Sequence, residues 1–179
     1  MRLSRRILSC SQALFFIAVL TSCSLFASSE VRRGDRFVDA GQWEEAVLAY
    51  QRALRDDAFD RGLQAKLALA RAQAANKYEE QARALVKDHK MDQAVEAMKH
   101  ALTFEPARIE RHQALADLLK MKEAQDQLRT AEQLRNIGRL DEAMEAYQRA
   151  ATLDPSLTIA FEGITALSEK LSGGRRGEK

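Results

Sequence analysis

Beyond residue 29, apolar residues recur at intervals of three and four, the spacing of helices with one buried face. The pattern also repeats as a block. Gly41-Gln-Trp-Glu-Glu-Ala-Val-Leu-Ala-Tyr-Gln-Arg-Ala53 returns as Gly138-Arg-Leu-Asp-Glu-Ala-Met-Glu-Ala-Tyr-Gln-Arg-Ala150, and a looser copy, His89-Lys-Met-Asp-Gln-Ala-Val-Glu-Ala-Met-Lys-His-Ala101, lies between them. Each copy reads as a tight turn followed by an amphipathic helix, and three such copies define a repeat protein. No alternating run of Val, Ile and Thr suggests a strand, so the chain is expected to be all-α.

The copies are 48 and 49 residues apart, measured from Ala46 to Ala94 and from Ala94 to Ala143. Between them, Leu63–Asp88 and Ile109–Asn136 contain neither proline nor internal glycine. Apolar stripes run through both, at Leu63, Leu67, Ala70, Ala74, Tyr78, Ala82 and Leu85, and at Leu115, Leu118, Ala124, Leu128, Ala131 and Leu134. Each segment is expected to be one long helix, its first half (Leu115-Ala116-x-x-Leu119 in the second) capping the preceding hairpin and its second half opening the next. The competing reading breaks the first segment at Asn76-Lys77. The continuous form would give three helical modules along a staggered rod, the broken one eight short helices. A last helix, Ser156–Leu171, places Leu157, Phe161, Ile164, Leu167 and Leu171 on its inner face, and residues 172–179 read as a flexible polar tail.

With Ala46 taken as the small residue of a second helix, the first unit resembles a tetratricopeptide repeat, a helix–turn–helix with fixed small and large positions. Gly34, Phe37, Gly41, Tyr50 and Ala53 then occupy the pattern. The same frame gives Ala82, Leu85, Ala94, Met98, Ala101 and Pro106 in the second unit, and Ala131, Leu134, Gly138, Ala143, Tyr147, Ala150 and Pro155 in the third. Two positions depart from it: His89 replaces the turn glycine, and Ala58 stands where the first unit should carry proline. The resemblance implies helical-hairpin repeats over 30–171, these residues being their packing frame. The spacing, 14 or 15 residues longer than the family's 34, is close to four helical turns and keeps the phase.

The N-terminus reads as an export signal. Arg2, Arg5 and Arg6 precede the apolar stretch Ala13-Leu-Phe-Phe-Ile-Ala-Val-Leu20, too short to span a bilayer. Leu20-Thr21-Ser22-Cys23 then resembles a bacterial lipobox. That resemblance implies a lipoprotein signal over 1–22, cleavage between Ser22 and Cys23, acylation of the Cys23 sulfur, and a lipidated linker over 23–29. The competing reading is an ordinary signal cut near Ala27. Ser24 after the acylated cysteine implies the periplasmic face of the outer membrane in a Gram-negative-type bacterium. Several acyl chains, each adding about 0.8 kcal/mol per buried methylene, make such an anchor durable.

Composition narrows the chemistry. The formal charge of +2 owes three cations to the signal; without Arg2, Arg5 and Arg6 the chain holds 25 Lys and Arg against 26 Asp and Glu, a balance of −1 that gives no support for a nucleic-acid partner. Cys10 leaves with the signal and Cys23 is acylated, so no thiol remains for a disulfide, a metal or catalysis. His89, His100 and His112 form no ligand motif, and there is no phosphate loop or nucleophile elbow. The acid pairs Glu44-Glu45 and Asp141-Glu142 suit helix N-termini, and Trp43 a packing role. No cofactor beyond the covalent lipid, no metal, no small-molecule substrate and no enzymatic activity are expected. The expected function is a scaffold for a protein or peptide partner in the cell envelope, the architecture being similar to that of pilotin-type lipoproteins of secretin, pilus and secretion systems. A structural oligomer built by pairing the long helices is the alternative.

Overall fold

The computed structural model describes residues 29–176, with side chains through residue 172. Among the described residues every regular element is an α-helix: α1 (29–39), α2 (Trp43–Ala53), α3 (Arg61–Lys87), α4 (Met91–Phe104), α5 (Ile109–Asn136), α6 (Leu140–Leu153) and α7 (Thr158–Arg176). The long segments are continuous. α3 runs 27 residues through Asn76 and Lys77 without a break, and α5 runs 28. The signal, Ser22, Cys23 and the linker to residue 28 lie outside the described residues, as do residues 177–179.

Three hairpins share one turn chemistry. Gln42 N donates to the Phe37 carbonyl at 2.8 Å and Gly41 N to that of Val38 at 2.9 Å. Lys90 and His89 repeat this pair on Leu85 and Val86, and Arg139 and Gly138 on Leu134 and Arg135. The double bond satisfies orphan carbonyls at the end of the first helix and requires a left-handed residue at the corner. Gly41 and Gly138 adopt φ of 69° and 82°; His89 adopts 59°, the only non-glycine with positive φ among the described residues. The middle turn is therefore geometrically equal to the others although its residue is strained for the role.

The chain divides into two compact units, one containing the described residues up to Lys77 together with Thr103–Glu105, the other Tyr78–Leu102 and Pro106 onward. The core of the first is Ala46, Val47, Tyr50, Ala53, Leu63, Leu67 and Ala70, with Phe37, Val38 and Phe104 packed against it. In the second, α6 lies between α5 and α7 over Ala131, Ala143, Tyr147, Ala150, Ala160 and Leu167. The second core is mostly alanine, the first mixes alanine with Val47, Leu63 and Leu67, and the largest fully buried side chains are Tyr50 and Tyr147. Helices surfaced by methyl groups approach closely, leaving room for one large side chain per hairpin, Tyr50, Met98 or Tyr147. The second unit also holds a part-buried ion pair: Arg111 of α5, only 5% exposed, donates through Nε to the half-buried Glu79 of α3 at 3.1 Å.

Three expectations shift. In α7 the buried stripe is Ala160, Gly163 and Leu167, with Leu157, Ile164 and Leu171 half-buried, whereas Phe161 is 47% exposed. The small residues face Tyr147 because only they admit its ring, which turns Phe161 outward. In α5 it is Leu118 that is buried, while Ala116 and Leu119 are exposed. Lastly, α7 continues through Arg176, so 172–176 of the expected tail are helical.

Relieving the middle corner should stabilise the protein. His89→Gly is expected to raise the unfolding free energy by about 1 kcal/mol, the scale of the left-handed penalty. Gly138→Ala, making the reverse change at an equivalent corner, is expected to lower it by a similar amount. Urea titrations followed by circular dichroism measure both.

Candidate functional site

The frame residues divide into core, corner and cap. Gly34, Ala46, Tyr50, Ala53, Ala82, Ala94, Met98, Ala101, Ala131, Ala143, Tyr147 and Ala150 are buried. Phe37, Leu85 and Leu134 are half-buried and supply the carbonyls of the turns, while Gly41, Gly138, Pro106 and Pro155 are exposed at corners. None of these frame residues offers reactive chemistry to solvent.

The two buried tyrosines anchor polar networks that escape a reading of apolar spacing. Tyr50 Oη donates to Asp35 Oδ1 at 2.7 Å, and Lys66 Nζ donates to both Asp35 oxygens at 2.6 and 2.9 Å. Tyr147 Oη donates to Glu132 Oε1 at 2.5 Å, and Arg135 pairs with the same carboxylate. In each case the acceptor lies 15 residues before the ring, directly after the small residue Gly34 or Ala131. The signal was available as an acid at that offset. The Lys66 ammonium, followed by the Tyr50 hydroxyl, holds the Asp35 carboxyl below the usual range against the opposing effect of burial. Burial, then the bond to Asp35, pushes the Tyr50 phenol up. Burial, then the bond to Glu132, pushes Tyr147 up to about 12. These groups hold the hairpin closed; their protons are poorly placed for transfer to a ligand.

Among the surface features open to a ligand are grooves on two of the hairpins. In the second hairpin a groove of about 350 Å³ lies between the later half of α3 and α4, lined by Tyr78, Gln81, Leu85, Asp92, Gln93, Glu96, Ala97 and His100. Its floor is apolar, and the Tyr78 and His100 rings stack with centroids 5.3 Å apart at 25°. Around it, Glu96 pairs with Lys99 at 2.7 Å and Asp92 with Lys122 of α5 at 3.1 Å. In the third hairpin a groove of about 430 Å³ lies between α5 and α6, with Glu123, Gln127, Glu145 and Arg149 on its walls. Glu145 and Arg149 pair at 2.9 Å.

The other candidates are accounted for locally. His112 Nε2 lies 2.7 Å from the Pro106 carbonyl, and His89 forms the corner described above. Glu44, Glu45, Asp141 and Glu142 occupy the first turns of α2 and α6. Trp43 is half-buried at the start of α2. Among the described residues no cluster of His, Cys, Asp and Glu is arranged to hold a metal ion, and no helix is long and apolar enough to cross a membrane.

The sequence profile of the tetratricopeptide repeat family matches residues 131–157, which comprise the end of α5, the Gly138 corner and α6. The third hairpin is thus the segment in which the family's own sequence pattern is met. No curated protein matches the chain. Similar solved structures include the first tetratricopeptide domain of RPAP3 (Spaghetti) bound to an HSP90 peptide, at 17% identity and a TM-score of 0.25, covering 83% of this chain and 95% of that one. The second such domain of human RPAP3 in complex with an HSP70 peptide has 20% identity and a TM-score of 0.24, over 82% and 98%. The C-terminal domain of a Plasmodium falciparum FK506-binding protein has 18% identity and a TM-score of 0.25, over 86% and 93%.

The tyrosine networks give a pH dependence with a definite sign. Tyr147 ionises near 10 when unfolded and about 12 when folded, so its contribution is fully present below pH 10 and is lost as pH rises towards 12. Tyr147→Phe is expected to be less stable than wild type at pH 8 by about 1 kcal/mol, the scale of one hydrogen bond. The difference should shrink as pH rises from 10. Urea midpoints recorded across that range test this directly.

Proposed function

We propose that the chain is a lipid-anchored scaffold of the bacterial envelope, tethered at Cys23 to the periplasmic face of the outer membrane and holding a partner protein on its helical hairpins. The observation that carries this reading is the pair of open, apolar-floored grooves with polar walls on successive hairpins. Such surfaces suit short protein segments better than a buried small molecule. The Leu20-Thr21-Ser22-Cys23 tetrapeptide supports the anchor. Tethering confines the search for a partner to a thin layer at the membrane and raises the effective concentration of both. An assembly factor of a secretin, pilus or secretion complex is the specific role this combination suits.

Two measurements test it. Cys23→Ala is expected to release the exported protein from the membrane fraction and remove the mass of the acyl chains; unchanged partition would contradict the anchor. A photo-cross-linking residue at Gln93 or Gln148, both on groove walls, is expected to give discrete protein adducts in intact cells. Absence of adducts at both would contradict the scaffold.

A further inference from the structure

The three hairpins share a register, which allows the same surface position to be compared within one chain. Arg52, His100 and Arg149 each directly precede the closing alanine (Ala53, Ala101, Ala150), and so occupy one place on the outer face of the second helix. The first and third hairpins put an arginine there and satisfy it internally. Arg52 lies 3.9 Å from the buried Glu30 carboxylate, and Arg149 lies 2.9 Å from Glu145. The middle hairpin carries His100, whose ring stacks on Tyr78, the residue at the register position of Glu30.

Glu96 holds the register of Glu145, two residues after the small alanine. Without an arginine one turn on, it pairs with Lys99, at 62% and 51% side-chain exposure. An exposed pair of this kind contributes little and exchanges readily. The groove beside it is lined by two carboxylates, two carboxamides, an aromatic pair and no Lys or Arg. The guanidinium found at this register in the other two hairpins is missing from the middle one, and the surface around its place holds an aromatic pair and two carboxylates whose partners, Lys99 and Lys122, do not line the groove.

We infer that the α3–α4 groove takes an arginine side chain from an extended segment of the partner protein. The inference rests on the scaffold reading above and names the chemistry of its ligand. A guanidinium is planar, stacks on aromatic faces and can bond a carboxylate with two parallel N–H groups. Glu96 accepts it, the Tyr78 and His100 rings provide the flat wall, and Gln81 and Gln93 offer amide oxygens to neighbouring backbone N–H groups. A lysine fits less well because a point charge gains little from the flat wall.

The test uses the full-length chain in detergent micelles and a fluorescein-labelled peptide of Gly, Ser and Leu carrying two arginines. Its counterpart has citrulline, a neutral urea of the same shape, at both positions. Fluorescence anisotropy is expected to show the arginine peptide binding about tenfold more tightly than the citrulline peptide, the scale of one charged hydrogen bond. Glu96→Gln should remove about that factor. His100→Arg, which gives the middle hairpin the internal cation of the other two, should do the same. Asp117→Asn, which neutralises an exposed acid of α5 outside both grooves, paired with Lys120 as Glu96 is with Lys99, should leave affinity unchanged and controls for general electrostatic attraction. Equal binding of the two peptides, unaltered affinity in both groove variants, or equal weakening by Asp117→Asn would each overturn the inference. Those results would leave the scaffold reading to its own test, the adducts formed in cells.

Discussion

The structure depends on how closely a helix can approach a buried tyrosine ring. A Cβ built on Gly34 would lie 2.3 Å from the Tyr50 ring, and one built on Gly163 would lie 2.5 Å from the Tyr147 ring. Both distances are far inside van der Waals contact, so the absence of a side chain lets α1 and α7 pack as they do. In cores rich in alanine, these rings are the largest fully buried side chains and hold the helices in register. Their hydroxyls reach the half-buried carboxylates Asp35 and Glu132, so a ring placed for packing is also fixed in rotation. The alkaline sensitivity follows from the same burial.

The close approach also decides what is left for binding. Because the rings and alanines face inward, the residues two positions further along the second helices face outward, and their identities vary between hairpins. Leu48, Glu96 and Glu145 share one register position; Arg52, His100 and Arg149 share another. The packing frame is repeated and the outer face is not. Three hairpins with almost the same skeleton therefore present three different surfaces, and the middle one carries an aromatic pair and lysine-paired carboxylates where its neighbours carry paired arginines.

Much of the fold was legible because its determinants are local. The corner glycines, the closing alanines and the 48- and 49-residue spacing lie along the chain, and α3 and α5 formed as the proline-free stripes require. What was not legible depended on tertiary distance. Apolar periodicity could not choose between Leu118 and Leu119, or between Phe161 and the smaller Ala160 and Gly163, because adjacent residues fit a helical stripe almost equally well. Gly163 lies 16 residues after Tyr147, as Gly34 lies 16 before Tyr50, so the ring takes its glycine from opposite sides in the two hairpins. A frame anchored on the first repeat looks only backwards for it. The acid partners of the tyrosines and the part-buried Arg111–Glu79 pair were missed because polar residues were read as solvated faces. Of the candidate site, the sequence marked what must be repeated and left the variable positions undistinguished.

The most direct test of this account is the stability of Gly163→Ala. In a helix interior free of neighbours, replacing glycine by alanine stabilises by about 1 kcal/mol through backbone entropy. Here the added methyl group meets a ring held between helices and by Glu132. The account predicts a lower urea midpoint than wild type, with a loss of about 1–3 kcal/mol, the cost typical of overpacking a tight core. A midpoint raised above wild type would show that the ring gives way freely, and would contradict the close glycine–tyrosine contact as the constraint on which the hairpins depend.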